Sequence, residues 1–254
     1  MTGFDPLLRE LDAWHASGRV ARLWWRDDDA TQPTPALRQL LLTSVESGVA
    51  PVLAAIPFGA TAALAETLAR QPAIRVWQHG VRHHNAAAPG RKKQELVAPT
   101  PDLLHDLAAG RGRLSNLFGA QMQPMLVPPW NRIGAEILPH LPMIGFSGIS
   151  TFKPRQDREA APRLMQINTH VDLLDWQRQA AFRGTAQCVA DICAHLVAKR
   201  HGTADSDEPT GVLTHHVVMR SDAWDFLNAL FAATNCPGVC QWAIPAPHPA
   251  ATDP

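Results

Sequence analysis

Short apolar runs alternate with helix-length segments along the 254-residue chain, and this alternation restricts the fold more than any other feature of the sequence. Strand-like runs fall at Val20–Trp25, Val52–Ile56, Ile74–Gln78, Met125–Val127, Ile144–Ile149, Leu164–Ile167, Val212–Thr214 and Val239–Ala243. Helical patterns occupy Phe4–Ser17, Pro35–Ser47, Ala60–Arg70, Pro101–Phe118, 186–200 and 222–233. Thr34 and Thr100 stand where N-caps belong, and Gly48 and Gly119 stand where helices stop. Strands that alternate with helices form a parallel sheet covered by helices, and this number of units suits a closed or nearly closed α/β barrel. Residues 1–245 read as one such domain. Segments 153–163 and 202–210 read as surface loops, and 246–254 as a disordered tail.

Charge excludes several partners. Lys plus Arg and Asp plus Glu both number 23, so no net charge draws the chain to nucleic acid or a membrane surface. The first residues lack the apolar core of a signal peptide, no apolar run reaches a membrane-spanning length, and the four cysteines do not follow zinc-site spacing. These features predict a cytoplasmic protein with free thiols.

The reactive residues follow strand ends. Asp27, Asp28 and Asp29 follow the first run; His79, His83 and His84 follow the third; Pro128, Pro129 and Trp130 follow the fourth; His215 and His216 close the run before the last main helix. In an α/β barrel these ends form one rim, where active sites sit. His79 and His83, at i and i+4, can face one ion. An aspartate from the first strand end completes a three-ligand set with room for water, which is the pattern of catalytic metal sites. A second aspartate of the run can act as base, and His215 can protonate a leaving amine. Three adjacent acids after Leu23-Trp24-Trp25 repel one another unless a cation lies among them. His216 would point away from His215, and His170 reads as a loop histidine. Arg91, Lys92 and Lys93 read as a solvated basic run or, less simply, a substrate clamp.

These segments, in order, resemble the motifs of the polysaccharide deacetylase family, the NodB homology domain, over roughly residues 23–217. W-R-D-D-D-A stands for T-F-D-D-G, and His79-Gly-Val-Arg-His83 for H-[ST]-x-x-H. Val127-Pro128-Pro129-Trp130 stands for R-x-P-Y, Asp172-Leu-Leu-Asp175-Trp176 for D-x-x-D-W, and Leu213-Thr214-His215 for L-x-H. The resemblance implies a distorted (β/α) barrel of about seven strands that removes an acetyl group from an N-acetylated sugar, small or oligomeric. It implies one divalent ion, zinc first, with cobalt, nickel or manganese as alternatives. By carry-over, Asp27 is the base, Asp28, His79 and His83 are the ligands, and His215 is the acid. Asp175 orients His215, the backbone near Pro129 and Trp130 holds the oxyanion, and Trp176 lines the pocket.

The triple aspartate also admits a second frame, with Asp28 as base and Asp29 as ligand. The distance from Asp28 to Thr34-Pro35 favours the first frame. The family arginine is Val127 here, with Arg26 or Arg132 as replacements, and Gly80 stands in place of Ser/Thr. These departures mark a divergent branch. They leave two other readings open: a non-catalytic carbohydrate-binding protein on the same barrel, and a hydrolase of a linear non-sugar amide.

Overall fold

The computed structural model of the chain describes residues 3–245; the expected tail at 246–254 lies outside them. The elements run α1 (Asp5–Ala16), β1 (Ala21–Ala30), α2 (Pro35–Ser47), β2 (Val52–Ala55), α3 (Ala62–Leu68), β3 (Arg75–His79), α4 (Pro101–Phe118), β4 (Met122–Val127), β5 (Gly148–Ile149), β6 (Glu159–Ala161), β7 (Leu164–Gln166), β8 (Val171–Asp172), β9 (Leu174–Asp175), β10 (Ala181–Phe182), α5 (Thr185–Arg200), β11 (Thr210–Thr214), α6 (Ser221–Thr234) and β12 (Cys240–Trp242). The caps follow the local chemistry. Thr34 and Thr100 accept the N–H groups of Leu37 and Leu103, and Gly48 ends α2 in the left-handed conformation.

The main sheet runs β8-β11-β1-β2-β3-β4-β5-β7, with parallel pairing throughout. The stretch 164–172 joins its two ends. Its first part pairs with β5, and the N–H groups of Ile167 and Thr169 continue that ladder to the carbonyls of Ile149 and Thr151. Its last part pairs with β11, starting with the His170 N–H on the Gly211 carbonyl. Counting that stretch once, seven strands surround a central core, the distorted α/β barrel expected from the sequence.

Strand alternation sorts the side chains. Trp24, Val52, Ala54, Trp77, Met125, Val127 and Ile167 fill the interior. Leu23, Trp25, Leu53, Ala55 and Val76 point outward into the layer shared with the helices. Both faces are buried, as parallel strands require. Each large apolar side chain so placed contributes about 1.5–3 kcal/mol.

Three expectations need correction. β1 does not stop at Trp25 but continues through the aspartates to Ala30, because β11 pairs with it as far as Asp27 and β2 pairs with it again at Ala30. The strand expected at Ile144–Ile149 is reduced to Gly148–Ile149, since 142–144 form a 3-10 turn closed by left-handed Gly145. Within the expected loop 153–163, residues 159–161 pair with β7. No helix among the described residues is long and apolar enough to cross a membrane, and all four cysteines are free thiols.

Candidate metal centre and catalytic cavity

The parity of β1 sets the site. Trp24 and Arg26 face the interior, and Trp25 and Asp27 face the helical layer. Asp27 therefore lies on the outer face, fully buried. Its carboxylate accepts the Thr214 hydroxyl at 2.6 Å and the His216 N–H at 2.9 Å, and it pairs with His216 Nδ1. Burial opposes a charge on His216, but the Asp27 carboxylate outweighs it and pushes the pKa up. Asp27, expected as the base, is thus committed to a structural network and does not line the cavity.

Asp28 faces inward, where Arg26 clasps it: Nε donates to Oδ1 at 2.8 Å and Nη2 to Oδ2 at 3.0 Å. The guanidinium is itself fixed by the Ser150 hydroxyl at 2.7 Å and Asn131 Oδ1 at 2.7 Å. Simple alternation would turn Asp29 outward. It does not, because the β1–β2 register shifts between Asp27 and Ala30 and Asp29 adopts φ 74°. The kink sends two consecutive carboxylates into one cavity.

Asp29, not Asp28, therefore meets the histidines. Asp29 Oδ1 lies 3.2 Å from His79 Nε2 and 3.4 Å from His83 Nε2. His79 Nδ1 donates to the Val127 carbonyl at 3.0 Å, which leaves the Nε2 lone pair directed at the site. The carboxylate Oδ1 is buried without an aligned hydrogen-bond donor. Two imidazoles and a carboxylate with an unsatisfied buried oxygen, all within reach of one point, fit a divalent cation. The electrostatics agree. Burial alone would raise the Asp29 pKa, but His79, His215 and His83 hold it far below the usual carboxylate range. Burial opposes a charge on His79, yet Asp28 and Asp29 push its pKa up, while burial and His79 push His83 down.

The loop that carries His83 is organised by Glu95, a residue that sequence reasoning missed. Its buried carboxylate accepts the N–H groups of Val81 at 2.9 Å, Arg82 at 2.8 Å and His84 at 3.1 Å. Gly80 has φ 55°, and a Cβ there would collide with that carboxylate and the Pro129 ring. This explains the glycine where Ser or Thr was expected. His83, Trp130 and Asn131 all hold positive φ, with the Trp130 ring 4.4 Å from that of His83. Non-glycine residues held this way cluster at functional sites.

His215, just past β11, sits opposite, with Nε2 3.9 Å from Asp28 Oδ2 and Trp176 edge-on at 4.7 Å. Besides Asp28, the carboxylate that shares the cavity with His215 is Asp172, not the expected Asp175. Asp172 lines the cavity and accepts Trp176 Nε1 at 2.8 Å and the Leu174 N–H at 3.0 Å. Burial pushes the Asp172 pKa up against the pull of His215. Asp175 caps the following turn by accepting the Gln177 N–H. Pro129 is buried against the loop, whereas Trp130 and Trp176 line the cavity of about 680 Å³ with Asp28, Asp29, His79, His83, Asp172 and His215.

His170, His195 and Glu208 form another compact group. His170 Nδ1 accepts the Gly211 N–H at 2.9 Å, so its proton sits on Nε2, 3.2 Å from Glu208. That tautomer leaves no lone pair for an ion, and the two rings stack at 3.5 Å rather than converge.

No protein-family model and no curated protein matches the chain. Solved structures do. A candidate polysaccharide deacetylase from Mycobacterium smegmatis aligns with TM-score 0.63 at 15% identity, over 89% of this chain and 87% of that one. A family 4 carbohydrate esterase from Streptomyces lividans, in complex with acetate, aligns with TM-score 0.55 at 13% identity, over 89% and 94%. A family 4 acetyl xylan esterase from Clostridium thermocellum, in complex with a cobalt ion, aligns with TM-score 0.51 at 10% identity, over 87% of each chain. The fold is that of the polysaccharide deacetylases and family 4 carbohydrate esterases.

Proposed function

We propose that the protein is a metal-dependent amide hydrolase that removes the acetyl group of an N-acetylated sugar. The observation that carries this reading is the meeting of Asp29, His79 and His83 beside Asp28 and His215 in one cavity. Asp29, His79 and His83 would hold a divalent cation, which would supply Lewis-acid polarisation of the acyl carbonyl and make a nearby water more acidic.

The chain's own residues do the rest. Asp28, with Oδ2 toward the cavity, takes the proton of the attacking water. Arg26 fixes the orientation of that carboxylate, the part an arginine at Val127 was expected to play. His215 Nε2, across the cavity, donates a proton to the departing amine nitrogen. Asp172 shares the cavity with His215 and holds the Trp176 ring that packs edge-on against it. Trp130 and Trp176 wall the cavity and shield the reacting groups from bulk water. Because Arg26 replaces the displaced arginine, a complete acid–base set favours an enzyme over a binding protein.

The test is acetate release from N-acetylated mono- and oligosaccharides. The protein is assayed after chelation and again after zinc, cobalt, nickel or manganese is restored. Release that disappears with the ion and returns with it is the expected result. Tight sugar binding without release, with every ion, would support the binding-protein reading instead.

A further inference from the structure

The cavity does not end at the catalytic groups. Arg132 lines it and also lines an adjoining depression of about 650 Å³, whose other charged residues are Arg91 and Lys92. No carboxylate lines that depression. Lys93 and Lys153 extend the positive rim on the cavity side. None of these five cations forms an ion pair among the described residues. The carboxylates inside the cavity cannot serve them. Asp28 is clasped by Arg26, Asp29 faces His79 and His83, and Asp172 accepts Trp176 and Leu174.

The backbone that carries the basic residues is held in place. Asn85 Oδ1 accepts the N–H groups of Ala87 and Gln94, and the Ala86 N–H donates to the Gln94 carbonyl. The stretch between them is thereby tied into a turn with Gly90 at φ 77°. Arg132 Nη1 donates to the Lys93 carbonyl at 2.9 Å, which joins the turn to the cavity wall and leaves its other N–H groups available. Lys153, at φ 85°, is pinned through its N–H to Thr169 and its carbonyl to Asn168. Cations that line one depression with no carboxylate among them create a positive field that an anion would relieve.

We propose that the Arg91–Lys92–Arg132 depression is the subsite for an anionic group, phosphoryl or carboxylate, on the substrate whose acyl group lies at Asp29, His79 and His83. This rests on the amide-hydrolase reading, and it narrows the substrate to an N-acetylated sugar that carries a negative charge. A guanidinium supplies paired donors suited to either anion.

Calorimetric titration of the full chain with N-acetylglucosamine, its 1-phosphate and N-acetylglucosaminuronic acid tests this, with acetate release followed in parallel. At low salt a charged probe should bind about tenfold tighter than the neutral sugar, a difference of about 1.4 kcal/mol. The advantage should fall to about twofold in the Arg91→Gln/Lys92→Gln double variant and shrink with added salt. Preference for the phosphate or for the uronate identifies which anion the subsite takes. Charged probes that bind no better than the neutral sugar, or a preference that survives in the double variant, would overturn the subsite. Charge-selective binding without acetate release from any probe would leave the subsite standing and overturn the hydrolase reading.

Discussion

Arg26 and Asp28, two residues apart on one strand, face the same interior and meet through two parallel hydrogen bonds of 2.8 and 3.0 Å. The i, i+2 spacing brings this about, since side chains two apart share a strand face. Both residues are buried, so the pair leaves neither charge unpartnered. It also replaces, from within β1, an arginine expected from β4.

Arg26→Lys tests that replacement. Lysine keeps the charge but loses the planar fork, so the Asp28 carboxylate should lose its fixed orientation. Turnover should fall about 10–100-fold with metal content unchanged. Unaltered turnover would show that the pairing serves folding alone.

Glu95→Gln probes the His83 loop from below. A carboxylate accepting three N–H groups becomes an amide with one acceptor oxygen and a donor facing donors. The predicted result is about 10–100-fold weaker metal affinity, read by competition with a chelating dye. Cooperative unfolding should be retained. Wild-type affinity would mean that the loop is held by other contacts.

Much of this was legible in the sequence, but unevenly. The strand–helix alternation and the Thr caps predicted the barrel, and the strand-end clusters brought His79, His83, His215 and Trp130 to one mouth. The aspartate frame was not legible. Period-two alternation separates Asp27 from Asp28, but only the register shift and the positive φ of Asp29 decide that Asp29 also turns inward. A local kink of this kind leaves no signature in a run of three identical residues. Glu95 was hidden for a related reason: its role is to bind backbone N–H groups 11 to 14 residues away, which no spacing rule reports. Gly80 could have been read as a positive-φ position, because glycine in place of Ser or Thr signals a backbone need.

Stability should depend on pH through the buried His195. Burial, with His170 and Lys199 nearby, holds its pKa down to about 2 against an ordinary 6.5. Below pH 6.5 the unfolded chain takes up a proton that the folded chain refuses. The stability contribution is therefore present above pH 6.5 and lost as pH falls, by about 1.4 kcal/mol per unit. Denaturant unfolding of wild type and His195→Gln at pH 7.5 and 5.5 tests this, because titrations away from the stacked His170–His195 pair cancel in the difference. The wild type should lose stability relative to the variant on acidification; parallel losses would contradict the assignment.

The most direct test of the central claim is metal stoichiometry, with acetate release, for Asp28→Asn beside Asp29→Asn. Asp29→Asn should lose the ion that wild type holds. Asp28→Asn should keep about one ion per chain and lose turnover by about 10²-fold or more. The reverse, with the ion lost from Asp28→Asn and kept in Asp29→Asn, would contradict the assignment of Asp29 as ligand and Asp28 as base.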